Sequence, residues 1–302
     1  MSAPVISASS LVVQRADRWA ATLELTKPGI TSFIMLSAAT GYFLAPDAPA
    51  SLLGFLGTVI GVGLTSAGAA TLNEYREWSR DALMLRTRTR PVPSGRVSPE
   101  AALAFGALLT LAGVVSLALL IGSAATTLAA LSWLIYVTVY TPLKCHTPYC
   151  TLVGAIPGAL PIVAGWSARG NWFDPAAWTL FAVIFCWQMP HFLSLAWRYR
   201  ADYQRGGFQM LVTRDATGSR TSLVSLAFAA LLAIATTLPH GIGLLDGFYG
   251  TTAPLLSVAF FLIATRMRPP LMERGASRLF LASLVYLPSV LLLMVVDRLL
   301  HH

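Results

Sequence analysis

The chain has 302 residues, of which 56% are hydrophobic and only 11% charged, and its mean hydropathy is +0.67. That composition excludes a disordered chain, which is polar and highly charged, and exceeds what a single soluble core holds; with only Cys145, Cys150 and Cys186 it excludes a disulfide scaffold as well. The net charge of +8 would suit a nucleic-acid binder, but the charges lie in short runs between apolar stretches, as membrane topology signals do.

Residues 1–28 read as a cytoplasmic segment. Residues 2–13 are weakly apolar, no basic residue precedes them, and no clear cleavage site follows, so a secretory signal is not expected. Arg15 and Arg18 are offset by Asp17 and Glu24, which argues against a mitochondrial presequence and for a bacterial protein of the inner membrane. Nine uncharged stretches follow, at 29–46, 50–72, 101–121, 123–143, 149–168, 175–197, 221–240, 249–265 and 279–296. All read as helices, because backbone groups in lipid must bond within their own segment. The expected fold is therefore an all-α integral membrane protein, one polytopic domain over 29–297 with nine helices around a central cavity.

Between the second and third stretches lies NEYREWSRDALMLRTRTRPVPSG. Asn73, Glu77 and Asp81 are spaced by four and share one face of a continuing helix. Three oxygen ligands at a membrane boundary suit Mg²⁺, which keeps water and phosphate oxygens in its shell. Arg86 and Arg90 follow at the same spacing, and guanidinium groups grip phosphate bidentately. The competing reading is an ordinary solvated helix in which Arg76, Glu77, Arg80 and Asp81 interleave, with pairs worth about 0.3–0.5 kcal/mol each.

After the fourth stretch, Lys144 stands beside Tyr140 as the only internal lysine, able to hold an anion or simply to mark topology. Cys145, His146 and Cys150 lack a complete zinc ligand set. Gly154, Pro157, Gly158, Pro161 and Gly165 punctuate the fifth stretch, as irregular backbone lining a cavity would, or as kinked packing would. The sixth ends in WQMPHFLSLAWRYRADYQRGGFQM, placing Gln188 and His191 in an apolar span. Asp202 is a candidate metal ligand opposite Asp81, and Arg198 a diphosphate contact; an exposed Arg198–Asp202 ion pair and a satisfied interfacial histidine are the alternatives.

The N-terminus and the connections after the even-numbered stretches, among them 73–100 and 198–220, hold 19 of the 21 Lys and Arg residues. By the positive-inside rule the N-terminus is cytoplasmic and the C-terminus external, which requires an odd number of spans.

Four runs carry a resemblance. They are Leu25-Thr26-Lys27-Pro28-Gly29-Ile30; Asn73, Glu77, Asp81, Met84, Arg86, Thr87, Arg90 and Pro91; Tyr140, Thr141, Lys144 and Thr147; and Pro190, His191, Phe192, Leu195, Ala196, Asp202, Tyr203, Gly207, Met210 and Leu211. In this order they resemble the protohaem IX farnesyltransferases of the intramembrane aromatic prenyltransferase superfamily, over about residues 22–297. Glu77 stands where the family has Asp, Cys145 where it has Arg, and Arg198 where it has the first member of a second aspartate pair.

The resemblance implies farnesyl diphosphate as donor and haem B as acceptor, in a lipid bilayer, with a haem A synthase or terminal-oxidase assembly factors as partners. It also implies Mg²⁺ on Asn73, Glu77, Asp81 and Asp202, diphosphate contacts from Arg86, Arg90, Lys144 and Arg198, and Tyr140, Tyr203 and His191 against substrate. Rival readings are a relative acting on a quinone-precursor ring or attaching a tetrapyrrole tail, and a polytopic transporter. Against the transporter, no internal repeat is visible and the acids cluster at a membrane edge.

Overall fold

The computed structural model describes residues 18–46 and 49–301, so Arg15 and the sequence 2–13 lie outside the described residues. Every regular element among the described residues is helical. A short helix at 18–25 leads into nine apolar helices. These are α1 (Pro28–Leu44), α2 (Leu52–Asp81), α3 (Pro99–Leu120), α4 (Ser123–Leu143), α5 (Cys150–Trp166), α6 (Pro175–Arg198), α7 (Ser219–Gly241), α8 (Gly247–Ala264) and α9 (Met272–His301). Seven are long and apolar enough to cross a membrane; α1 and α5 are apolar but have 17 residues each.

The helices pack as a closed ring. Each of α1 to α9 touches the next, and α9 returns against α1, with α5 against α1 and α9 against α6 across the middle. Close approach is written in glycines. A Cβ on Gly41 would fall 1.9 Å from the Ile162 carbonyl oxygen, and one on Gly165 would fall 1.9 Å from that of Ala38, so α1 and α5 meet backbone to backbone. The outward faces carry exposed apolar side chains such as Leu108, Leu119, Ile234, Leu255 and Leu292, suited to lipid. By contrast α6 is the most enclosed of the seven long helices.

Local sequence explains the irregularities. Pro161 has no N–H for the carbonyl of Pro157, and the Ser132 hydroxyl of α4 donates to that carbonyl at 2.7 Å. Within α4 the stretch Ile135–Tyr140 is a π-helical turn, placed directly before Thr141 and Lys144. The stretch 73–100 is not all loop. Helix α2 starts at a Ser51 cap, whose hydroxyl accepts the Gly54 N–H at 3.0 Å, and runs unbroken through Asp81. The stretch 198–220 contains two short helices, Arg200–Arg205 and Leu211–Arg214.

Candidate active site

The polar end of α2 turns Asn73, Glu74, Glu77 and Asp81 inward, and all four are buried. Three other segments supply their partners. Lys27, just before α1, donates to Asn73 Oδ1 at 2.7 Å. Lys144, after α4, lies 2.5 Å from Glu77 Oε1 and donates to Oε2 at 2.8 Å. Arg90 donates to Asp81 Oδ2 at 2.7 Å. Thr141 Oγ1 accepts from Asn73 Nδ2 at 3.2 Å, and Glu74 accepts the Val92 N–H at 3.1 Å. Asp81 Oδ1 is buried with no hydrogen-bond partner.

The row thus joins oxygen donors to cations gathered from three segments. This is not a solvated helix face, because Glu77 and Asp81 pair with Lys144 and Arg90, not with Arg76 and Arg80. Burial alone would lower the Arg90 value, but the Asp81 carboxylate outweighs it and holds the guanidinium above its ordinary value. Glu77 does the same for Lys144. Lys27 has no such carboxylate in contact, and burial together with Arg90 pulls its ammonium down to about 7.

Three loops meet at this end. Arg80 of α2 donates to the Gly206 carbonyl at 2.9 Å, and the Gln209 N–H donates to the Lys144 carbonyl at 2.8 Å. Asp202 sits at the seam: Oδ1 accepts the Leu85 N–H at 2.9 Å, Oδ2 accepts the Arg86 N–H at 3.3 Å, and Arg205 pairs with Oδ1. Burial would raise its carboxyl pKa, yet Arg205 and the two amides hold it below the usual range. The structure therefore brings Asn73, Glu77, Asp81, Arg90 and Lys144 into one cluster and sets Asp202 against the loop that follows it.

The other expected residues make contacts of their own, with Arg86 exposed at the rim. Arg86 donates to Tyr203 Oη at 3.5 Å and lies 4.7 Å over the Tyr199 ring. Lys144 Nζ lies 4.9 Å from the Tyr140 ring. Arg198 is exposed and lies 5.0 Å over Phe280 of α9, without the Asp202 pairing that spacing allows. His191 is held by Ser283 of α9, Nδ1 to Oγ 2.7 Å, and stacks on Trp187. Lys27 and Glu74 are absent from the expected site. Lys27 had a signal, as one of two lysines in the chain and next to Pro28; Glu74 had none.

Two cavities flank the row. One, of about 300 Å³, is lined by Lys27, Arg90 and Glu74 with Pro28 and Ile30. The other, of about 200 Å³, is lined by Glu77, Arg76, Arg80, Thr141, Cys145 and His146. Buried oxygen donors beside partly buried cations, next to partly apolar space, form a place that could hold a charged head group and an apolar tail together.

A model of the UbiA prenyltransferase family matches residues 34–284. The chain belongs to that family. This UbiA prenyltransferase-family chain is 38% identical over 278 residues to the protoheme IX farnesyltransferase of Opitutus terrae, covering 92% of this chain and 94% of that protein. It is also 38% identical over 285 residues to the protoheme IX farnesyltransferase of Solibacter usitatus, covering 91% and 98%. Among solved structures, a UbiA homolog from Archaeoglobus fulgidus bound to GPP and Mg²⁺ shares the fold, with TM-score 0.67 and 16% identity, over 91% of this chain and 99% of that one.

Proposed function

We propose that this family member transfers the farnesyl group of farnesyl diphosphate to a vinyl group of haem B, giving haem O. The observation that carries the reading is the buried row of Asn73, Glu77 and Asp81, each within 2.8 Å of a cation. Relatives at 38% identity along nine-tenths of the chain support the choice of donor and acceptor.

The row fits Mg²⁺. Its donors are oxygens, the ligand type that ion prefers, and Asp81 Oδ1 is a buried oxygen with no other partner. Asn73, Glu77 and Asp81 would hold it. When bound, Mg²⁺ neutralises diphosphate and makes it a better leaving group; the Archaeoglobus fulgidus neighbour, with GPP and Mg²⁺, supports that use in the family. Asp202 has its oxygens engaged by the Leu85 and Arg86 amides, so we assign it to seating the loop that carries Arg86 and Arg90.

The chain's own residues do the rest. Lys27 exchanges the Asn73 amide oxygen, and Arg90 the Asp81 carboxylate oxygen, for diphosphate oxygens, while Lys144 stays on Glu77; Arg86 adds a guanidinium from the rim. Arg198 meets substrate only by leaving Phe280. The C–O bond breaks toward an allylic cation, which needs surroundings that keep bulk water away. The haem vinyl carbon attacks that cation, and water supplies the hydroxyl of the product. Tyr140, Tyr203 and His191 contact the apolar parts of the substrates.

The same reading sets the protein in a bacterial inner membrane with nine spans and the N-terminus in the cytoplasm. The short helices α1 and α5 must cross as well for the cation-rich connections 73–100 and 198–220 to lie on the same side as the N-terminus. The test is incubation of purified protein with haem B, farnesyl diphosphate and Mg²⁺, followed by mass spectrometry. The expected product carries one added farnesyl and one added hydroxyl group; unchanged haem with turnover of another acceptor would overturn the assignment.

A further inference from the structure

Arg76 and Arg80 are the cations of the α2 extension that the acid row does not engage. They are four residues apart and form no ion pair among the described residues. Arg76 donates to the Val137 carbonyl at 3.2 Å and Arg80 to the Gly206 carbonyl at 2.9 Å. A guanidinium has five N–H donors, so each keeps donors for a ligand. Both line the cavity of about 200 Å³, whose inner wall is Glu77. Glu77 is already neutralised by Lys144, so the guanidinium groups leave that space with a net excess of two positive charges.

Building on the proposed transferase activity, we infer that this cavity binds the carboxylate edge of the acceptor, the two propionates of haem. Size and charge both point there. The volume is below the roughly 300 Å³ at which pockets enclose whole ligands, so it takes an anionic end group while the macrocycle stays outside. Haem presents two carboxylates on one edge, which matches two guanidiniums in number and in bidentate geometry. The diphosphate has its own cations, Lys27 and Arg90, in the cavity on the other flank. Cys145 contributes a small side chain to the wall, which leaves room between the two arginines and His146.

Cys145 is also a built-in reporter, being half-buried on the cavity wall while Cys150 and Cys186 are buried. In the full-length protein in detergent, alkylation of Cys145 by iodoacetamide is followed by mass spectrometry. Haem B at ten times its Kd should slow it about tenfold. Haem dimethyl ester, and farnesyl diphosphate with Mg²⁺, should leave the rate unchanged. Equal protection by the ester, or protection by farnesyl diphosphate and not by haem, overturns the inference.

As a second measurement, Arg76→Gln and Arg80→Gln should each raise KM for haem about tenfold, the effect of about 1.4 kcal/mol, with KM for farnesyl diphosphate unchanged. They should also abolish the preference for free-acid haem over its ester; a retained preference counts against the site. Farnesylated haem without Cys145 protection would sink this inference and leave the transferase reading standing. Protection without farnesylated haem would do the reverse.

Discussion

Asp81 and Asp202 are both buried aspartates at the same end of the bundle, 1% and 7% exposed, yet they are held in opposite ways. Asp81 gives one oxygen to Arg90 and keeps the other unpartnered. Asp202 gives its oxygens to two backbone amides and Arg205. An unpartnered buried oxygen is costly to keep and is a reason to look for a ligand. A carboxylate filled by amides is a fastener: it holds residues 85 and 86 in place and thereby aims the arginines of that loop. On our proposal, partners, more than residue type, separate the aspartate we assign to the ion from the one we assign to seating the loop.

The sharpest way to break this contrast is Asp81→Asn. The substitution keeps shape and a hydrogen bond for Arg90 but removes the charge. Transfer should fall by about 10²–10³-fold, the cost of losing one well-placed electrostatic group, while the detergent-solubilised protein keeps its melting behaviour. The readout is haem O formation across a Mg²⁺ titration. Full activity would remove Asp81 from the ion's surroundings.

Arg86→Ala comes next. Its guanidinium lies over Tyr199 and reaches Tyr203 at the rim. Losing a charge-assisted contact of about 1.5–3 kcal/mol should raise KM for farnesyl diphosphate about 10–100-fold, measured by initial rates at saturating haem. An unchanged KM together with unchanged turnover would place Arg86 outside donor binding.

Asp202→Asn should be milder, a loss of about tenfold or less, because Asn still accepts one amide at the cost of roughly 1 kcal/mol for the other. Its Mg²⁺ dependence should match the parent protein. A shift in Mg²⁺ requirement as large as that of Asp81→Asn would show that the two aspartates do the same job and would erase the contrast.

Much of the fold was legible in the sequence because lipid leaves few options. Each expected stretch lies on one of the nine helices, and the i, i+4 spacing of Asn73, Glu77 and Asp81 put them on one face as read. What spacing could not show was the partners. Lys27 lies 46 positions before Asn73, and Lys144 lies 67 after Glu77. Only tertiary packing of α1, α2 and α4 brings them together. The interleaved Arg76 and Arg80 suggested local ion pairs, yet each is offset by one position, about 100° around a helix of 3.6 residues per turn. They therefore face the neighbouring cavity. The Arg198–Asp202 pair that spacing allows fails for a related reason: the end of α6 separates the two residues, and a ring on α9 takes the guanidinium.

The smallest effect is a pH dependence of the fastener itself. The Asp202 carboxyl is held below its usual range in the folded protein, burial being outweighed by Arg205 and the amides of Leu85 and Arg86. In the same segment Asp215 is lowered too, burial there being outweighed by bonds from Thr221 and Gly218. A depressed folded value means that the stabilisation is fully present above the unfolded carboxyl value of about 3.9. It is lost only as pH falls further, through the folded value. Hydrogen exchange should therefore show the Leu85, Arg86, Gly218 and Thr221 amides protected at pH 5 and opening below about pH 4. In Asp202→Asn the step at Leu85 and Arg86 should vanish while that at Gly218 and Thr221 remains. If all four amides keep their step in that variant, Asp202 is not what holds the loop, and the argument for assigning the cation to the α2 row alone loses its support.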